Sequence, residues 1–154
     1  MSTRSLVLDA NVLVLLVVGL TSRSYIRIHS RLSAYTEGDF DLLHAYANAA
    51  HRIVVTPNTI TEASNLVGQI NEPARSKIMH KLRQLTEEVE EIYVESKHAA
   101  QEAVFPRLGI TDSVLLSREF ADAELLTADL DLYVAACSTG RNVVNFNYHI
   151  EANR

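Results

Sequence analysis

Four carboxylates stand where an apolar strand hands over to a helix, or on the helix that follows: Asp9, Glu62, Asp112 and Asp129. Asp9 ends the apolar run Leu6-Val7-Leu8, and after Asn11 a second apolar run extends from Val12 to Val18. Polar side chains merely buried in so apolar a stretch are costly, so Asp9 and Asn11 are expected to point into a cleft at the carboxyl end of the strand. That edge is where open α/β sheets keep their ligands. Asp129 follows the strand Glu124 to Thr127, Asp112 opens a helix after Thr111, and Glu62 lies on a helix after a second strand. In a parallel sheet all strand carboxyl ends share one edge, so Asp9 and Asp129 should meet there, joined by the other two from neighbouring helices. Carboxylates gathered in one cleft repel one another and demand a cation. Hard oxygen donors without imidazole or thiolate select Mg²⁺ or Mn²⁺ over zinc.

The elements that must position these acids alternate between strands and helices. A first strand and helix meet at Asp9. Thr21 to Gly38 reads as a connector with one helical segment, and Thr36-Glu37-Gly38-Asp39 has the form of a capping box for a helix from about Glu37 to Ala50. Ile53-Val54-Val55 is the second strand. Thr56-Pro57 starts the helix that carries Glu62, with threonine as cap and proline in the first turn. Asn71-Glu72-Pro73 restarts the chain as an amphipathic helix through Ile78, Leu82, Leu85 and Val89. Ile92 to Val94 reads as the third strand and Ser96 to Val104 as a helix, interrupted by Pro106 to Gly109. Thr111 caps a helix from Asp112 to about Ala121, and Glu124 to Thr127 is the fourth strand. Ala128-Asp129 turns it into the helix Leu130 to Ser138, closed by Gly140, and Asn142 to Phe146 is the last strand. This order predicts one domain over 1–154, an α/β/α arrangement of three layers around a mostly parallel sheet of four to five strands.

Composition narrows the function classes. With 47% hydrophobic and 21% charged residues in 154, the chain is an ordinary globular sequence long enough to bury a core. A single cysteine, Cys137, excludes a disulfide scaffold, and no Cys/His set has zinc spacing. A net charge of -5 argues against holding nucleic acid by a general basic field, but not against cutting it at a metal-neutralised acidic cluster. Arg4 ahead of an apolar segment resembles a secretory signal. Val12 to Leu20 is short for a membrane span, however, and Asp9 falls where such a signal has no acid, so a soluble, cytoplasmic protein is expected.

The pattern Leu8-Asp9-Ala10-Asn11-Val12-Leu13, Glu62 in Thr61-Glu62-Ala63, Thr111-Asp112-Ser113 and Leu126-Thr127-Ala128-Asp129 resembles the PIN-domain ribonucleases, the family that includes VapC-type toxins of bacterial toxin–antitoxin pairs. Four short motifs in the correct order are fairly specific where each alone is weak. The resemblance implies a PIN-like fold and a metal-dependent endoribonuclease in which Asp9, Glu62, Asp112 and Asp129 are the catalytic and metal-binding acids. The metal lowers the pKa of a bound water and stabilises phosphoryl charge. Asn11 and Thr127 are expected to orient the carboxylates or the substrate. RNA is the implied substrate, with room for a protein antitoxin and a homodimer, and no membrane partner.

Bland explanations exist for several of these residues. Asp9, Asp112 and Asp129 sit where helix starts favour acids, as does Asp131, and Glu62 reads equally as an exposed helical acid. Arg23, Arg27 and Arg31 recur every four residues, one basic stripe if helical, with Tyr25 and Tyr35 nearby to stack on bases. A solvated face is the alternative. A haloacid-dehalogenase-like phosphatase requires a second Asp where Asn11 stands, and a receiver domain requires a strand-end lysine that Lys97 does not supply. An inert PIN-like module that binds RNA or protein is the competing reading from another class.

Overall fold

The computed structural model describes residues 4–154, so the first three residues of the expected 1–154 domain lie outside the described ones. Five strands form one sheet in the order β3-β2-β1-β4-β5: β1 (Ser5–Leu8), β2 (Arg52–Val55), β3 (Glu90–Glu91), β4 (Ala123–Thr127) and β5 (Val143–Asn145). All neighbours run parallel. β1 is central, pairing Val7 with Val54 on one side and with Leu125 on the other. Its short apolar sequence suits a strand covered on both faces. Leu6 and Leu8 enter one core with α1 (Ala10–Thr21), α2 (Glu37–Asn48), α3 (Pro57–Val67), α4 (Ala74–Glu88) and Phe146. Val7, Val54 and Leu125 enter the other, with Val94, Ala99, Val114, Phe120 and Leu132. The sheet is therefore the middle layer of three.

Helix α1 is buried almost all round, from Val12 to Gly19, which explains why its sequence lacks a polar face. Thr36 and Asp39 form the expected capping box of α2, and Thr56 accepts from the Thr59 amide to cap α3. At the amino end of β4, buried Glu124 accepts the Tyr46 hydroxyl and faces Arg4.

Several expected elements differ. Strand β3 is Glu90–Glu91, not Ile92 to Val94: beyond it Val94 fills the second core and Ile92 packs against it while Tyr93 is exposed, and the charged pair forms the sheet edge. The helix expected from Ser96 to Val104 is one turn, α5 (Ser96–Ala99), anchored by buried Ala99 and followed by a separate turn, α6 (Phe105–Leu108). Pro106 lies in the first turn of α6, where its missing N–H is harmless. Helix α7 spans Ile110–Leu115 and yields to a 3-10 turn at Arg118–Phe120 instead of continuing to Ala121. Gly109, at φ 84°, precedes its first turn, so Thr111 lies within the helix and does not cap it. Helix α8 (Leu130–Ser138) is as expected. The last strand stops at Asn145, whose side chain accepts from the Asn147 and Tyr148 amides and starts α9 (Phe146–Ala152), a helix the sequence reading did not include. Among the described residues no helix is long and apolar enough to cross a membrane.

Candidate functional site

The first acid is fixed by the chain around it. Asp9 continues the ladder beyond β1, its amide donating to Leu126 carbonyl at 3.1 Å, and it occupies the N-cap of α1. Its Oδ1 accepts from the Ala10 amide at 2.7 Å and its Oδ2 from the Thr127 hydroxyl at 2.6 Å. Only 5% of Asp9 is exposed. Burial raises its pKa against the lowering effect of those two bonds, and Asp129 raises it further.

Thr127 joins the two strand-end acids. It donates to Asp9 while its Oγ1 accepts the Asp129 amide at 3.0 Å. Asp129 caps α8 by accepting the Leu132 amide on Oδ1 at 3.1 Å. Its Oδ2 makes no hydrogen bond among the described residues.

The other two acids come from helices on opposite faces of the sheet. Glu62 rides on the exposed side of α3, and Asp112 lies half-buried in the first turn of α7. They line one cleft of 470 Å³ with Thr61, Asn65, Gly109 and Thr111. Partial burial raises the Glu62 pKa, and Asp9 and Asp129 add to it. For Asp112 the value is pushed up to about 7, first by burial and then by Asp9, Asp129, Glu62 and Asp131. Every charge acting on Asp112 here is an acid. Four carboxylates predicted far apart in sequence thus share one electrostatic environment, and Asp131 lies within its reach.

That environment tests the fit of the expected cation. The donors are carboxylates with a hydroxyl behind them, the chemistry of a hard divalent ion. Among the described residues, no group of three His, Cys, Asp or Glu side chains is placed to hold one metal ion. The acids fit a cation in charge and donor type, while their side chains do not form a closed coordination shell.

Of the two roles expected of Asn11, toward the carboxylates or toward the substrate, it does not take the first. It is exposed in the first turn of α1 and makes no side-chain hydrogen bond among the described residues. The Asp9 oxygens are held by the helix's own amide and by Thr127, so Thr127 is the one of the expected pair that orients a carboxylate.

The arginine stripe is also corrected. The connector forms two 3-10 helices, Arg23–Arg27 and Ser30–Leu32, in place of one α-helix. At three residues per turn, a spacing of four does not align side chains. Arg23 makes a two-pronged contact with Asp41, at 3.0 and 2.6 Å, and both Arg23 and Arg27 reach Glu37. Arg31 is exposed and has no ion pair among the described residues.

Beside the acids stand Asn147, which the sequence did not single out, and Tyr35, expected only to stack on bases beside the arginine stripe. The Tyr35 hydroxyl donates to Asn147 Oδ1 at 3.4 Å, and Asn147 Nδ2 donates to Ala128 carbonyl at 3.3 Å, tying the connector and α9 to the loop before Asp129. The Tyr35 pKa is raised by burial, then by Asp39 and Asp9. The readable signal was Asn145-Phe146-Asn147, an Asx cap directly after a buried strand.

No protein-family model matches the chain, and no curated protein matches it. Among solved structures it is similar to a domain of a functionally unknown protein from Methanocaldococcus jannaschii DSM 2661, at 15% identity and a TM-score of 0.46, covering 92% of this chain and 90% of that one.

Proposed function

We propose that the chain is a metal-dependent endoribonuclease of the PIN-domain type. The observation that supports this most is Asp112, lifted to about 7 by burial and by the convergent charges of Asp9, Asp129, Glu62 and Asp131. Glu62 and Asp112 in one cleft, both raised further by Asp9 and Asp129, favour a divalent cation and through it a phosphate. Asp9, Glu62, Asp112 and Asp129 would hold Mg²⁺ or Mn²⁺, which supplies an acidified water and charge neutralisation at phosphorus. The chain's own contribution is to fix Asp9 between Ala10 and Thr127, to aim Asp129 from the start of α8, and to keep the cleft negative until it is filled. The toxin of a toxin–antitoxin pair is the narrower form of this proposal, and an antitoxin or a second copy of the chain its corresponding partner.

One observation favours an inert PIN-like module that binds RNA or protein: among the described residues no three acids are placed to hold one ion. Cleavage of labelled RNA with Mn²⁺ or with EDTA separates the readings. The enzyme cuts only with metal, and Asp9→Asn folds normally and loses most of the activity. Undiminished cleavage by Asp9→Asn, in a preparation free of host nucleases, rejects the PIN-type site centred on Asp9, and absence of cleavage by the wild type with Mn²⁺ rejects the enzyme reading.

A further inference from the structure

With Arg23 and Arg27 neutralised by Glu37 and Asp41, the largest set of cations outside ion pairs lies elsewhere. Helix α4 carries Arg75, Lys77, His80, Lys81 and Arg83 in one stretch of a chain whose net charge is -5. It buries Ala74, Ile78, Leu82 and Leu85. Lys77, His80 and Arg83 are exposed and Lys81 is half-buried, on adjoining rows three and four residues apart. None of these four takes part in an ion pair among the described residues. Arg75 lies near Glu72, whose carboxylate is bound to the Ser76 amide and hydroxyl at 2.8 and 2.6 Å.

The order of charge along α4 runs against its own dipole. Helices favour acids at the amino end and bases at the carboxyl end. Here the amino end takes its acid from just outside the helix, the Glu72 carboxylate on the Ser76 amide, while cations crowd the amino half and Glu87-Glu88 close the helix. Beyond Glu72 the cations add little to the helix itself.

We infer that the exposed face of α4 binds the phosphate backbone of single-stranded RNA, through Lys77, Lys81 and Arg83. This rests on the nuclease reading and names where its substrate lies. Helix α4 packs against α3, the helix that carries Glu62, in the same layer on one side of the sheet. At the start of α4 a groove of 770 Å³ of mixed character is lined by Tyr25, Ile28, Ile70, Asn71, Glu72 and Pro73. An aromatic ring beside a row of cations suits a base and its phosphate better than an acidic peptide or a bilayer.

The test is the fluorescence anisotropy of a short 5′-labelled oligoribonucleotide of mixed sequence, titrated in EDTA across a range of salt. Lys77→Ala/Lys81→Ala/Arg83→Ala should lower the log–log salt slope by about 2 and weaken binding roughly 100-fold at 0.1 M salt, at about 0.7 counterions per phosphate contact. Arg23→Ala/Arg27→Ala should change little. Unchanged affinity and slope in the triple variant overturns the inference, as does absence of binding by the wild type. Loss of binding to phosphatidylserine vesicles in place of RNA also overturns it and assigns the face to a membrane. RNA held by this face but uncut with Mn²⁺ rejects the nuclease reading alone, whereas RNA cut and bound equally by the triple variant rejects this face alone.

Discussion

The hydroxyl of Thr127 donates to Asp9 Oδ2 at 2.6 Å across 118 residues of sequence. That bond links the ends of adjacent parallel strands at the point where both stop pairing and start helices. Because Asp9 is buried, the bond also decides how readily its carboxylate ionises.

Thr127→Val preserves shape and removes the donor. Leaving a buried carboxylate short of one hydrogen bond costs about 1–3 kcal/mol. The Asp9 pKa should rise, since the Thr127 bond is what most strongly opposes burial. Urea unfolding should show a lower midpoint with unchanged slope. RNA cleavage, if the proposed site is correct, should fall on the order of 10–100-fold, as for other lost orienting partners. An unchanged midpoint would show that the bond contributes nothing to stability.

The metal-free protein should lose stability as pH rises from about 4 to about 7. Asp112 has a folded-state pKa pushed up to about 7 against 3.8 for an unperturbed aspartate. Between these values the folded chain keeps a proton that the unfolded chain has released, so the slope of stability against pH is negative. Above about 7 both states are ionised and the loss is complete. Asp112 is half-exposed, so solvent screens part of the effect. Thermal melts in EDTA should show wild type falling more than Asp112→Asn across this window. Parallel profiles would place Asp112 outside any shared field.

The sheet, the two covered faces and the helices α1, α2, α3 and α8 were legible because their signals are local: apolar runs, a capping box, Thr56-Pro57, and Gly140. The joining of Asp9 and Asp129 was legible too, as a consequence of parallel strands. What was not legible depended on contacts remote in sequence. Nothing near Arg23 announces Asp41, and the four-residue spacing suggested an α-helix where the chain forms 3-10 turns. Asn11 read as a site residue because its neighbours are apolar, yet its position in the first turn faces solvent. Ile92 to Val94 read as a strand because burial and pairing leave the same apolar trace.

Gly19 is a packing requirement within α1. A Cβ at this position would stand 2.1 Å from Cδ1 of Phe40, which is 4% exposed and has little room to move. Replacing a helical glycine with alanine gains up to about 1 kcal/mol from propensity. Overpacking a filled core costs about 1–3 kcal/mol, so the clash should outweigh the gain. Gly19→Ala should therefore melt lower than wild type, and a higher melting temperature would mean that α1 and α2 separate at little cost.

Metal should stabilise the wild type, and Asp129 shows how. A cation bound only by the folded acids adds RT ln(1 + [L]/Kd), about 2.7 kcal/mol at a hundred times Kd. Asp129 has two tasks, capping α8 through Leu132 and adding negative charge beside Asp9 and Asp112. Asparagine caps a helix about as well as aspartate, so Asp129→Asn keeps the first task and removes the second. Relief of repulsion should make the variant melt higher than wild type in EDTA, and the lost ligand should make it gain less from Mn²⁺. Alanine at the same position removes the cap as well and costs about 1 kcal/mol, separating the two tasks. Thermal melts of the three proteins, in EDTA and in Mn²⁺ at pH 8 where Asp112 is ionised, decide the matter. A wild type indifferent to Mn²⁺, with Asp129→Asn melting lower in EDTA, would leave Asp129 a structural cap and the acids without a shared ion.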